Sequence, residues 1–329
     1  MMERAKSGNG RHSIFILASR VARETRFKGR FMADVIRSGS WWSSARQWIR
    51  SGAQAGPVGI RHEVRLGLAL GGGFARGIAH VGVLRAFERA GVPIHYIAGV
   101  SSGSIVASAF ASGSTSDEIE LVARKMRFSD IARWRFSRSG LLETDPLRPF
   151  LARLLKVLRF ENMRIPLAVV ASDLTAAAPA VFRDRGDVVL PIRASCSYPG
   201  LFQPVRYMNH CLVDGMISMD VPAAPLRRMG ATHVVSVSLP MPSEMVDPQN
   251  MLSVVTRCFQ ILSSRTESQW RRHSNIVITP DVKDIRWNSF ENAQHLIDAG
   301  ERAANAVLPQ IQRWFPNQVQ GSGGASAVA

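Results

Sequence analysis

The sequence predicts an α/β domain with a mostly parallel central sheet, preceded by a helical N-terminal appendage. Three observations point there. Short apolar, β-branched segments alternate with helix-period segments from Val64 to Trp314. Two of the strand-like segments run straight into glycine-rich turns followed by helical patterns, at Gly71–Gly73 and Gly99–Gly103. The first 60 residues differ from the rest, being basic and Trp-bearing, and end in the linker-like SGAQAGPVGI.

Taken in order, the appendage covers residues 1–60. Apolar residues recur at loose helical spacing over Ile14–Ile36. Trp41, Trp42, Ala45, Trp48 and Ile49 then fall on one helical face flanked by Arg46 and Arg50. Indoles beside guanidinium groups suit an anionic membrane surface, and they equally suit docking of a helix onto the main domain. The main domain, residues 61–315, starts with a strand at Val64–Leu70, the Gly71–Gly73 turn and a helix over Ala75–Ala90. A second strand, Ile94–Val100, leads into a small-residue helix ending near Ala111. Further strands are expected at Leu167–Ser172, Val205–Val213, Thr232–Ser238 and Asn275–Ile278. Helices are expected at Ser116–Met126, Pro146–Leu158, Leu252–Arg272 and Glu291–Trp314. The tail, residues 316–329, ends in GSGGASAVA and is expected to be disordered.

Composition narrows the function classes. At 329 residues and 46% hydrophobic, the chain can bury a substantial core. No run approaches the roughly 18 apolar residues of a membrane span. The N-terminus lacks the long apolar core and small-residue cleavage site of a secretory signal, so a cytoplasmic location with peripheral membrane contact is expected. Cys196, Cys211 and Cys258 have no metal-type spacing and their odd number argues against a disulfide framework. The net charge is +16, and residues 1–65 hold 13 Lys/Arg against 4 Asp/Glu, so the excess is concentrated there. Anionic lipid and nucleic acid are both compatible with that charge, but no nucleic-acid motif accompanies it.

Gly99-Val100-Ser101-Ser102-Gly103 is a G-x-S-x-G pattern between an apolar strand and a helix-forming run. Such an elbow holds the central serine in a strained turn with its hydroxyl raised above the sheet, which marks Ser101 as a nucleophile. Small residues at Gly99 and Gly103 let strand and helix approach closely. Gly71-Gly72-Gly73-Phe74-Ala75-Arg76-Gly77 forms a second signal. Glycines there let consecutive N–H groups converge on an anion, either a phosphate or a tetrahedral oxyanion. No Lys-Ser/Thr follows as a P-loop requires, and Phe74 breaks the spacing of a dinucleotide fingerprint. A serine also needs a base. None of the eight histidines has a triad-type context, and a buried carboxylate could serve if desolvation raised its pKa. On residue patterns alone, Asp214-Gly215 is one acidic turn among several.

Together these segments resemble the patatin-like phospholipase family, in the manner of its lysophospholipase/neuropathy-target-esterase branch. The resemblance is carried by Leu68–Leu84 with its Gly-rich block and His80-Val81-Gly82-Val83-Leu84, by Gly99–Gly103, by Ala171–Thr175, by Arg193–Val205 and by Asp214-Gly215. It implies a three-layer α/β/α fold and a Ser101–Asp214 dyad without a catalytic histidine. It further implies an oxyanion hole from backbone N–H groups at Gly72, Gly73 and Phe74, supported by Gly71, Arg76 and Gly77. The reaction implied is acyl-ester hydrolysis of phospholipids or lysophospholipids with no metal or redox cofactor. Two positions depart from the family pattern: Phe74 stands where a glycine is usual, and Asp220 where a small or amide residue is usual. Acyl transfer to an alcohol acceptor, or a regulatory protein with an unused site, are the competing readings.

Overall fold

The computed structural model describes residues 63–239, 247–286 and 288–316, which fall in a compact unit beginning at Glu63. The appendage with Trp41, Trp42 and Trp48, and most of the tail, lie outside the described residues.

The described elements are, in order, β1 (Leu66–Leu70), a 3-10 turn (Phe74–Ile78), α1 (Ala79–Arg89), β2 (Tyr96–Val100), α2 (Ser102–Ala111), α3 (Ser116–Ala123), β3 (Arg133–Ser137), β4 (Gly140–Glu143) and α4 (Leu147–Leu154). There follow β5 (Leu167–Asp173), β6 (Ala178–Arg183), α5 (Val189–Ser195), β7 (Val205–Tyr207), β8 (His210–Asp214), α6 (Ala223–Met229), β9 (His233–Val237), α7 (Met251–Arg271), β10 (Ile276–Ile278) and α8 (Ala293–Gln312).

The expected α/β architecture is present. Five strands in the order β10-β9-β1-β2-β5 are parallel, and β6, β8 and β7 add antiparallel pairings. β1 is buried throughout, as a central parallel strand covered on both faces should be. Its side chains sort by size. Leu66, Leu68 and Leu70 join a large apolar cluster with residues of α1–α5 and α8, whereas Ala69, with Ala98 and Ala168, meets Leu226 of α6 and Trp270 of α7. Bulk on one face and small residues on the other make three layers.

Two contacts lock the first layer. α1 and α8 cross so closely that a Cβ on Gly82 would run into the Ile297 carbonyl, and one on Gly300 into the Ala79 carbonyl. Beside the crossing, the largely buried Arg85 guanidinium bonds Glu120 of α3 at 2.7 Å and Asp298 and Glu301 of α8 at 3.2 and 2.5 Å. Among the described residues, no helix is long and apolar enough to cross a membrane.

The structure revises the expected elements at several points. Val205–Val213 is two strands, β7 and β8, paired antiparallel across a tight turn at Met208, whose φ is 51°. The helix expected from Ala75 opens as a 3-10 turn before α1 begins. β6, α5, α6 and the separate β3–β4 hairpin had no counterpart among the expected elements.

Candidate active site

The site is assembled by the register of one strand. Val170 of β5 pairs with Val100 of β2, and the next residue, Ala171, pairs with Asp214 of β8. β6 pairs with both β5 residues from the other edge, so β2 and β8 share a single edge of β5. One strand runs parallel to β5 and the other antiparallel. Their C-terminal ends therefore meet, bringing Ser101 and Asp214 together.

Ser101 is 5% exposed and has φ 52° and ψ −128°, a strained conformation for a non-glycine residue. Two sets of hydrogen bonds hold it there. Its N–H donates to Ser195 Oγ at 2.8 Å, and Ser195 Oγ donates to the Val170 carbonyl at 2.6 Å. Its carbonyl accepts from Ser104 N–H at 2.8 Å and Ser104 Oγ at 2.6 Å. Gly99 and Gly103 are required by contact, since a Cβ on Gly99 would meet the Gly103 carbonyl and one on Gly103 the Leu70 carbonyl. The elbow is thus a junction of two glycines around a clamped serine.

Asp214 is 1% exposed. Its Oδ1 accepts from Met216 N–H at 3.0 Å, while Oδ2 makes no direct hydrogen bond of ordinary length. Burial pushes the carboxyl up to about 7; Met216 N–H and the neighbouring Ser101 hydroxyl hold it down, and the charge of Asp220 adds to the rise. The Ser101 hydroxyl is thus close enough to act on the carboxyl without being locked onto Oδ2. Among the described residues, no histidine hydrogen-bonds either member.

The glycine-rich segment leaves β1 beside this pair. Gly71 N–H donates to the Val237 carbonyl at 3.0 Å, and the Gly71 carbonyl accepts from His80 Nε2 at 2.9 Å. Burial drives the His80 pKa down to about 4, so the ring is neutral and serves as a strut for the loop. Gly72 N–H donates to the Asp220 carbonyl at 3.3 Å, and Gly73 N–H has no hydrogen bond among the described residues. Phe74 has φ 55°, a conformation ordinarily left to glycine. Its ring sits among Phe128, Phe202 and Phe290, with centroids 6.3, 6.3 and 6.2 Å away. Gly77 abuts Ser102 at the start of α2, and Gly215 abuts the Val170 carbonyl.

Ser101, Gly72, Gly73, Phe74 and Arg76 open onto a cavity of about 650 Å³. One side of α7 forms its far wall through Leu252, Thr256, Gln260, Ser263 and Glu267. Apolar surface comes also from Leu201, Leu239 and Trp270, and positive charge from Arg257, Arg271 and Arg286. Asp220 is half-buried in this wall, with Oδ2 accepting from Ser263 Oγ at 2.6 Å and its pKa raised by desolvation. An apolar crevice of about 40 Å³ lies on the other side of Phe74, between α2, α3 and α4, so one ring borders both spaces.

Every residue singled out for the dyad and its loops falls in this one region. Sequence reasoning missed Ser195 as the anchor of the nucleophile's N–H and His80 as the strut of the glycine loop. Both lie in segments that had been singled out, but only the folded register shows what they touch. Among the described residues, no cluster of three or more His, Cys, Asp or Glu could hold a metal ion.

The family model described as patatin-like phospholipase matches residues 68–227. An uncharacterised NTE family protein of Mycobacterium bovis is 34% identical over 178 residues, covering 53% of this chain and 49% of the relative. The patatin-like phospholipase domain-containing protein 6 of Homo sapiens is 30% identical over 190 residues, covering 53% of this chain and 13% of the relative. This chain thus spans about half or less of the length of these curated relatives. Among solved structures, VipD from Legionella pneumophila is similar with a TM-score of 0.48 and 12% identity, covering 75% of this chain and 67% of that one.

Proposed function

Because residues 68–227 belong to the patatin-like phospholipase family, we propose that this chain is a serine lipid acyl hydrolase that cleaves fatty-acyl esters of phospholipids or lysophospholipids with Ser101 and Asp214. The observation that carries the reading is that Val100, which leads into Ser101, and Asp214 pair with consecutive positions of β5, beside a cavity that mixes apolar side chains with arginines. Such a lining suits an amphiphile with a long tail and an anionic head.

The steps follow from the groups present. Asp214 accepts the Ser101 proton as Oγ bonds to the ester carbonyl carbon. With its carboxyl near 7, it is partly ionised at neutral pH and well matched to shuttle that proton. Backbone N–H groups of Gly73 and Phe74 stabilise the oxyanion. Gly72 N–H contributes once it leaves the Asp220 carbonyl, to which it is bonded at the long distance of 3.3 Å. The tetrahedral intermediate collapses, the leaving-group oxygen takes the proton from Asp214, and the acyl group remains on Ser101. Water then attacks the acyl-enzyme, giving its proton to Asp214; as the acyl–Oγ bond breaks, Asp214 returns that proton to Ser101 Oγ and the fatty acid leaves.

The test compares wild type with Ser101→Ala and Asp214→Asn on lysophospholipid and on a soluble aryl ester. Both variants are expected to lose at least about 10³-fold in kcat. Full activity in either one overturns the dyad.

A further inference from the structure

We infer that the β3–β4 hairpin is a membrane-docking blade that seats the cavity rim on an anionic lipid bilayer. The inference rests on the lipid-hydrolase reading for its purpose but on the hairpin's own surface for its chemistry.

The hairpin stands outside the main sheet, and all five residues of β3 are exposed. Side chains alternate along a strand, and β3 reads Arg-Trp-Arg-Phe-Ser. Trp134 is 62% exposed and Phe136 77%, with ring centroids 5.8 Å apart, so one face presents an unburied aromatic pair. The alternate positions hold Arg133 and Arg135, which bond the largely buried Glu143 at 2.7 and 2.9 Å. One carboxylate balances only one of these two cations. Arg138, in the turn, makes no ion pair among the described residues. An aromatic face next to excess guanidinium charge matches the interfacial zone of a bilayer, where rings bury among headgroups and cations meet lipid phosphates. Two aromatics this exposed, side by side, are a poor choice for a surface that meets only water.

The blade is fastened to the wall of the catalytic cavity. Leu141 and Leu142 N–H groups donate to the Leu201 carbonyl at 3.0 Å, Gln203 N–H donates to the Leu142 carbonyl at 2.8 Å, and Gln203 Nε2 donates to the Arg135 carbonyl at 2.6 Å. Leu201 lines the cavity that Ser101 opens onto. A bilayer gripping the hairpin therefore holds lipid beside the site.

The experiment measures co-sedimentation of full-length Ser101→Ala protein with vesicles of phosphatidylcholine alone and of phosphatidylcholine with phosphatidylglycerol, with and without Trp134→Ala/Phe136→Ala. The aromatic double variant is expected to bind anionic vesicles at least about tenfold more weakly. Trp134→Tyr/Phe136→Tyr is expected to restore most of the binding, and Arg138→Glu to weaken binding to anionic vesicles more than to neutral ones. With Ser101 intact, the double alanine variant is expected to keep its rate on a soluble short-chain ester within about twofold while losing rate on vesicle lipid. Unchanged vesicle binding overturns the inference. So does an equal loss on the soluble ester, or a dimer that the double variant splits into monomers. Wild type that binds vesicles through the hairpin but hydrolyses no ester leaves the blade standing and removes the hydrolase reading.

Discussion

The backbone N–H of Ser101 is held by the hydroxyl of Ser195, 94 residues away, at 2.8 Å. That hydroxyl in turn donates a hydrogen bond to the Val170 carbonyl, so one side chain ties the elbow to β5. Ser195→Ala leaves a buried donor and a buried acceptor unpaired and frees a strained backbone. It is expected to cost about 1–3 kcal/mol of stability and to lower kcat by about tenfold or more. Thermal unfolding and ester kinetics on the same preparation check both.

Asp214 sets a pH dependence with a defined sign. On the proposed mechanism activity needs its ionised form, so kcat/KM should rise with pH through a midpoint near 7 and then level off. The negative charge of Asp220 contributes to the raised value, so Asp220→Asn should move the midpoint to lower pH. A pH–rate profile of the two proteins decides it.

The same residue should cost stability. An unfolded Asp214 gives up its proton near 3.8, whereas the folded one keeps it until about 7. Folding is therefore favoured by this group below pH 4 and progressively less so as pH rises to 7. Asp214→Asn removes that cost, and it should melt at a higher temperature than wild type at pH 8 while being inactive. Equal or lower melting temperature at pH 8 would contradict the desolvated carboxyl.

Phe74 occupies a left-handed conformation and lines both the cavity beside Ser101 and the apolar crevice between α2, α3 and α4. Phe74→Gly relieves the backbone strain and removes the side chain that the two spaces share. Relative activity on aryl esters of increasing chain length is expected to shift toward longer acyl chains by several-fold, because the crevice becomes continuous with the cavity.

Gly82 and Gly300 permit the close crossing of α1 and α8. Gly82→Ala places a methyl group against backbone that cannot yield without moving a helix, and should destabilise the fold by about 2–4 kcal/mol. Denaturant unfolding with unchanged far-ultraviolet dichroism in the native baseline checks this.

The parts legible in the sequence were those with local signatures. β1, β2 and β5 are apolar runs ending at turn residues, and the elbow and glycine loop announce themselves by spacing. β3 was missed because its alternation of Arg133, Trp134, Arg135 and Phe136 spans only four residues, too few to stand out from loop. β7 and β8 were merged because the Met208 turn contains no glycine, only a residue forced to positive φ. Asp214 was weak as a residue pattern because its position depends on an antiparallel strand laid along the same β5 edge as β2. Ser195 and His80 act over 94 and 9 residues respectively through single hydrogen bonds, which leave no periodic trace.

The pairing of Val170 with Val100 and of Ala171 with Asp214 has a consequence for how such an enzyme can change. Val100, which leads into Ser101, and Asp214 sit opposite neighbouring β5 residues, about 3.3 Å apart along that strand, a backbone dimension that no side-chain substitution alters. On the proposed reading, the surfaces that meet a substrate belong instead to α7 and the Phe74 turn. Chemistry and recognition can therefore diverge independently: a lineage could retool its diet of esters by remodelling those peripheral pieces while inheriting its reaction unchanged.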